Sequence, residues 1–161
     1  NTEKLNWLNA HYIKESDNAR LADLVRPRLV STGILASESP NLEAIIALHK
    51  ERATNLNELA DLAKPFYKMP ELDLSLLRAQ LEDAAKPALA DFAEGLQNVT
   101  WEKEAISALL KATLVKHNLK MPKLAMPLRV LLVNKIQTPA VDALITLFSK
   151  DDAICRITRL T

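Results

Sequence analysis

Apolar residues recur along this chain at intervals of three and four, the spacing that lays them on one face of a helix. Leu5, Leu8 and Tyr12, with Trp7 and Ile13 alongside, predict a first amphipathic helix. Asp17 stands where an N-cap would open a second helix, with Leu21, Leu24 and Val25 on one face. Pro27 is expected to end it, because the residue before a proline is driven out of the helical region. Gly33 falls in the loop beyond, and Asn41 is placed to cap a third helix whose apolar face is Leu42, Ile45, Ile46 and Leu48. A fourth helix starts near Thr54, carries Leu56, Leu59 and Leu62 on one side, and is expected to stop before Pro65. The stretch from Phe66 to Asp73 reads as loop. Two shorter helical stretches come next, one through Leu76, Leu77 and Leu81 and one from Pro87 to Phe92. Gly95 suits the position just past a helix end, where a left-handed conformation is needed, so Gly95 to Val99 is the expected boundary.

Beyond that boundary Thr100 reads as an N-cap, with Glu102 and Glu104 in the positive first turn of a helix through Ile106, Leu109, Leu110 and Leu114. Pro122 and Pro127 are expected to break the chain, with Pro127 in the first turn of a helix through Leu131. Periodicity alone leaves Val130 to Val133 open to a second reading as a buried strand. Thr138 and Pro139 form a cap-and-first-position pair for a helix through Leu144, Ile145 and Phe148. Asp151 or Asp152 is placed to cap a last short helix ending near Leu160. The expected fold class is all-α, in two small helical subdomains over residues 1–97 and 98–161.

Composition supports helices and removes several chemistries. Hydrophobic residues make up 48% of the 161 residues, enough for a packed interior, while aromatics supply only 4%. Only two glycines occur, Gly33 and Gly95, which argues against a turn-rich sheet protein and against a glycine-rich phosphate loop. Cys155 is the only cysteine, so neither an internal disulfide nor a cysteine zinc site is available, which fits a reducing cytoplasm. Its apolar neighbours Ile154 and Ile157 predict a buried, inert thiol. His11, His49 and His117 lie far apart, without metal-ligand spacing, and are read as surface or half-buried histidines. No nucleophile elbow appears, and no metal or catalytic set is expected. No run of about 18 apolar residues occurs, so no membrane span is expected.

The formal net charge of +1 predicts no partner, but its distribution is uneven. Up to Asn98 there are 11 Lys and Arg against 15 Asp and Glu; from Val99 onward, 10 against 5. Between Lys103 and Lys135 stand seven basic residues and one acid, Glu104. That asymmetry suggests a polyanion-facing surface in the second half, against the plainer alternative of a solvated face.

Three stretches together resemble one family. Lys4-Leu5-Asn6-Trp7-Leu8-Asn9-Ala10-His11-Tyr12-Ile13-Lys14 is similar to the helix that opens the anticodon-binding half of bacterial glutamyl-tRNA synthetases. Lys50-Glu51-Arg52, followed by Leu56 and Leu59, is similar to that family's basic-x-Arg segment and its leucine-rich helix. Met126-Pro127-Leu128-Arg129-Val130-Leu131, then Thr138-Pro139 and Leu147-Phe148-Ser149-Lys150, resembles its later region, with Trp101, Ala105, Leu109 and Leu110 in the helix between. The order and rough spacing match over nearly the whole chain. Two departures stand out: Asn134-Lys135 replaces a usual glycine, and Ser149 replaces the glycine before Lys150. Lys68-Met69-Pro70-Glu71 lacks the second lysine and the serines of the family's K-M-S-K-S loop and is read as chance.

The resemblance implies a helical cage of two subdomains that grips the anticodon stem-loop of glutamate tRNA, with no DNA partner. It implies a monomeric cytoplasmic parent enzyme that ligates glutamate to that tRNA with ATP and Mg2+. Those cofactors and the active site belong to a catalytic domain of the same parent chain, and no cofactor is implied here. Arg52 aligns with the arginine that reads the first anticodon base; its planar fork of donors suits a base edge. Lys111 and Arg129 align with basic residues at the anticodon backbone or stacked on its bases. Thr138, Pro139 and Val141 match the turn that lines the pocket for the later bases. Trp7, Tyr12 and Trp101 could stack on bases, but their helical phase favours core packing. The alternative is a helical protein-interaction module without an RNA role.

Overall fold

The structure, a computed structural model, describes residues 2–34 and 40–159. The described residues form ten α-helices and two short 3-10 turns, with no strand among them. The packing divides into two compact units, residues 1–68 and 69–161.

The first unit holds α1 (Thr2–Glu15), α2 (Asn18–Ser31), α3 (Leu42–His49), a 3-10 turn (Lys50–Arg52) and α4 (Leu56–Tyr67). α2 packs on α3 and α4, burying Leu21, Val25, Leu29, Ile45, Ile46, Leu59 and Phe66. Asn41 caps α3 as expected, its side chain accepting from Ala44 N at 3.1 Å. His49 departs from expectation: it is 4% exposed, donates from Nδ1 to the Ile45 carbonyl at 2.7 Å, and meets the Phe66 ring edge-on. α2 closes through Gly33, whose φ of 83° carries paired bonds from Gly33 N to Val30 O and from Ile34 N to Leu29 O.

The second unit holds α5 (Leu74–Gln80), a 3-10 turn (Asp83–Ala85), α6 (Lys86–Leu96), α7 (Lys103–Lys116), α8 (Met121–Val133), α9 (Val141–Thr146) and α10 (Lys150–Thr158). The Leu160 end expected for α10 lies outside the described residues. The division does not fall at 97 and 98, because α6 packs on α7 and α10 while α5 packs on α8. Residues 69–97 therefore share the interior of the later helices. The strand alternative for Val130–Val133 is also overturned: all four residues are buried within α8.

Pro27 and Pro65 were expected to end helices, and Pro127 to break the chain and open a new helix; none of them does. Pro27, Pro65 and Pro127 lie inside α2, α4 and α8, and Pro122 opens α8. An interior proline costs about 3 kcal/mol through a lost hydrogen bond and a clash. Each fully buried Leu, Val or Phe returns roughly 1.5–3 kcal/mol. Leu29 lies beyond Pro27, Phe66 beyond Pro65, and Leu128, Val130, Leu131 and Leu132 beyond Pro127, all at 2% exposure or less. Burial of the side chains beyond each proline decides the outcome.

Gly95 is not a helix terminator either. It lies within α6, and a Cβ there would stand 2.6 Å from Leu109 Cδ1, so the glycine permits close approach of α6 to α7. Thr100 is not the cap of α7, which starts after Glu102. α10 is capped by Ser149, accepting from Asp152 N at 3.1 Å, with Asp151 and Asp152 in its first turn. Ser149 has φ −65°, which explains why no glycine is needed there. Cys155 is exposed rather than buried, since α10 turns Ala153 and Ile157 inward instead.

Candidate nucleic-acid interface

Arg52 ends the 3-10 turn between α3 and α4, and the turn is fixed from both sides. Lys50 Nζ donates to the Ser16 carbonyl at 3.2 Å, and Ala53 is buried. Asn55 caps α4 by accepting from Glu58 N at 2.8 Å, while Glu58 Oε2 accepts from both Thr54 N and Thr54 Oγ1 at 2.8 Å. This reciprocal cap engages the Glu58 carboxylate at the start of α4. Arg52 itself is exposed and forms no ion pair among the described residues. The turn is thus held by its neighbours rather than by the guanidinium of Arg52.

In the second unit Arg129 is half-buried on α8. Its Nη1 donates to the Ile136 carbonyl at 3.3 Å and lies 3.4 Å from Met126 Sδ, while its buried Nε has no partner. The structure therefore brings Arg129 to the turn that leads into Thr138. Thr138, Pro139 and Val141 are all buried, and the Thr138 hydroxyl donates to the Pro139 carbonyl at 2.7 Å. The expected cap-and-first-position pair does not form: α9 starts at Val141, and Ala140 precedes it without a side-chain cap. Gln137 and Ala140, which carried no sequence signal, are the exposed members of this turn.

The end of α8 is held by Asn134 and by two arginines the sequence did not single out. Asn134 takes φ 59° and ψ 34°, a left-handed cap that Asn tolerates, which explains how it stands in place of a glycine. Its Oδ1 accepts from Asp73 N at 2.9 Å. Arg156, 2% exposed, donates to the Leu132 carbonyl at 2.8 Å, pairs with Asp152 at 2.9 Å and covers the Phe148 ring at 4.5 Å. Arg159 donates to the Leu131 and Pro70 carbonyls at 2.8 and 3.2 Å. Burial lowers its pKa from the ordinary arginine value. These arginines satisfy carbonyls of the last turn of α8, which have no partner within the helix. The sequence shows Arg156 within α10 and Arg159 just past it but cannot show which carbonyls they meet.

Lys111 lies on the exposed side of α7, whose other faces pack on α6 and α9. Of the basic residues between 103 and 135, Lys116 pairs with Asp91 at 2.9 Å and Lys123 with Glu82. Lys103, Lys111, Lys120 and Lys135 form no ion pair among the described residues, so much of the positive charge stays available. Asp91 also receives His117 Nε2 at 2.6 Å, and the bonds from Lys116 and His117 hold its carboxyl below the usual range.

The aromatic candidates divide. Trp7 and Tyr12 are 64% and 45% exposed, against the expectation of core packing, because α1 turns Ile13 inward. Trp101 is half-buried ahead of α7, with Nε1 donating to the Phe148 carbonyl at 2.9 Å and Lys150 5.8 Å above its ring. Among the described residues no cluster of three His, Cys, Asp or Glu could hold a metal, and no helix is long and apolar enough to cross a membrane.

Residues 20–161 match the family described as the anticodon binding domain. The glutamate–tRNA ligase of Janthinobacterium sp. (strain Marseille) is 52% identical over 157 residues, covering 98% of this chain and 34% of that protein. The ligase of the same name from Herminiimonas arsenicoxydans is 49% identical over 155 residues, covering 96% and 33%. The crystal structure of a glutamate tRNA ligase from Elizabethkingia meningosepticum, in complex with its amino acid, matches with a TM-score of 0.88 at 25% identity, over 99% of this chain and 32% of that one. The chain thus spans about a third of the length of the curated relatives it matches. With residues 20–161 inside the matched family, the chain belongs to the anticodon binding domain family.

Proposed function

We propose that this chain is the anticodon-recognising portion of a glutamate–tRNA ligase, and that its partner is the anticodon stem-loop of glutamate tRNA. The observation that carries the reading is the alignment of 98% of the chain, at 52% identity, with a protein of that name. Arg52 addresses the first anticodon base. Its support is the geometry: a charged planar fork, free of acid partners among the described residues, on a turn fixed at both ends. Lys111 contributes charge toward the backbone of the loop. Arg129 contributes through the turn it holds at Ile136. Thr138, Pro139 and Val141 have buried side chains, so they shape the wall of the pocket for the later bases rather than reach out to them.

In this reading ATP and Mg2+ belong to the part of the ligase that this chain does not span. The ligase acts in the cytoplasm, as a monomer with one anticodon site.

The test is a salt-dependent titration of the ligase-length protein against glutamate tRNA and against a tRNA with a substituted first anticodon base. Binding is expected to weaken steeply as salt rises. The preference for the native base is expected to vanish in Arg52→Gln, which removes a contact of about 1–3 kcal/mol. Equal preference in wild type and Arg52→Gln would remove Arg52 from the site. Failure to bind either tRNA, even at low salt, would return the chain to the protein-interaction reading.

A further inference from the structure

The second unit holds a cleft lined by none of the residues proposed to meet the anticodon. It lies where α5, the 3-10 turn at Asp83–Ala85, α6, α8 and α10 come together, and its volume is about 640 Å3. Sites for small organic molecules span roughly 300–1,000 Å3. Leu77, Leu131 and Ile157 form the floor, at 2%, 0% and 3% exposure. Half-buried Leu81 and Leu89 flank them, packed on the cluster of Leu77, Val130 and Leu131. The space is open because α6 turns Ala90 and Ala93 towards it, three positions apart and so on one face. Two methyl groups stand where larger apolar side chains would close the gap.

The polar residues of the cleft say what kind of molecule fits. Arg78, Asp83 and Lys86 line it and are all exposed, so they stand at its opening. Asp83 is engaged by Lys86 Nζ at 2.9 Å. Arg78 forms no ion pair among the described residues, which leaves one unmatched positive charge at the mouth of an apolar cleft. No lining residue is aromatic, so a nucleic-acid base finds no stacking platform. A protein partner is a poor fit as well. Of the large apolar side chains exposed in this unit, Leu74 belongs to the cleft, while Met69, Val115 and Met121 do not line it. The accessible apolar surface is gathered in a concavity rather than spread over the roughly 800 Å2 that a stable protein interface covers on each partner.

We propose that this cleft binds a small amphipathic anion: a medium-length aliphatic chain ending in a carboxylate. The chain lies along Leu77, Leu89, Leu131 and Ile157, and the carboxylate meets the Arg78 guanidinium at the opening. A guanidinium presents parallel donors to both oxygens of a carboxylate, which favours that head group over a neutral or cationic one. The site draws on the second unit alone and does not depend on anticodon recognition.

The experiment uses the ligase-length protein and decanoate carrying a diazirine along its chain. Illumination is followed by peptide mass analysis. Labelling is expected on the peptides that contain Leu77, Leu89, Leu131 or Ile157, and unlabelled decanoate is expected to suppress it. Decylamine, with the same chain and a positive head, is expected to compete at least about fivefold less well, and the difference is expected to shrink as salt rises. Ala90→Phe, which fills the cleft from α6, is expected to reduce labelling of these peptides about tenfold or more. Labelling of these peptides that is absent in the wild type, or unchanged in Ala90→Phe, would overturn the proposal. Equal competition by decanoate and decylamine would overturn it too, leaving an apolar cleft without a preference for anions. Arg78→Glu guards against misfolding of Ala90→Phe, because it alters an exposed position and its thermal midpoint is expected to stay within about a degree or two of wild type. In that variant the preference for decanoate over decylamine is expected to vanish or reverse, and an undiminished preference would remove Arg78 and overturn the assignment.

Discussion

Arg52 and Arg129 sit in the two compact units and are held in opposite ways. Arg52 is exposed, on a turn whose bonds are all made by its neighbours: Lys50 to Ser16, Asn55 to Glu58, Glu58 to Thr54. Arg129 is half-buried and is itself part of the scaffold, tied to Ile136 and Met126. Removing the first leaves the protein standing, whereas removing the second disturbs the turn before Thr138. The difference teaches that two arginines matched by one resemblance need not do comparable work. One is free to be a reader, and the other is held as part of the framework.

The largest effects are expected where this contrast is sharpest. Arg129→Ala strands the Ile136 carbonyl, so unfolding free energy is expected to fall by about 1–3 kcal/mol, with tRNA affinity falling alongside. Arg52→Ala is expected to lose about 1–3 kcal/mol of preference for the native first base while the thermal midpoint stays put, since exposed substitutions change stability by about 0.5 kcal/mol or less. Paired thermal melts and tRNA titrations check both, and a drop in midpoint for Arg52→Ala would erase the distinction. Lys111→Ala is expected to weaken all tRNAs alike and to reduce the salt slope by roughly 0.7 for each lost phosphate contact on a single strand. A change in base preference would instead make Lys111 a reader.

Smaller effects test the second unit's own frame. Asp91 has a depressed pKa through Lys116 and then His117, so its contribution is present above the ordinary carboxylate value of 3.8 and is lost as pH falls through the lower folded value. Melting of Asp91→Asn is expected to lie below wild type from about pH 5 upward, with the gap closing in stronger acid. A gap independent of pH would mean the carboxylate charge is not what ties α6 to α7. Gly95→Ala is expected to move stability by less than about 1 kcal/mol. The gain in helix propensity is close to that size, and the clash falls on the movable end of the Leu109 side chain. A larger loss by melting would show that Leu109 cannot swing aside.

Tyr67 offers the same kind of test to the first unit. Its hydroxyl donates to the Pro40 carbonyl at 2.7 Å, and burial pushes its pKa up to about 12. That contribution is complete below the ordinary tyrosine value of 10 and is lost as pH rises toward 12.

The all-helical class, the order of helices and most apolar faces were legible in the sequence, because a period of 3.6 is a local property of the chain. The Asn41 cap was legible for the same reason. The prolines misled because their cost is local while the burial that outweighs it is tertiary, as beyond Pro127. Gly95 misled because its use is the approach of Leu109, 14 positions later. The candidate site divides likewise. That Arg52 follows a basic residue and precedes a leucine-rich helix could be read, and so could the order of Arg129, Thr138 and Pro139. That Thr138, Pro139 and Val141 are buried, and that Arg156 and Arg159 hold the carbonyls at the end of α8, could not.

By itself the sequence determined which segments are helical and which family they belong with, since both are written in spacing and residue identity along one dimension. Only the tertiary structure decided where the two units divide, which arginine is free and which is framework, and that α1 buries Ile13 while Leu5, Trp7 and Leu8 stay exposed. A helix with apolar residues on two sides has no local preference between them. Which side it buries is set by what the rest of the chain offers to cover it.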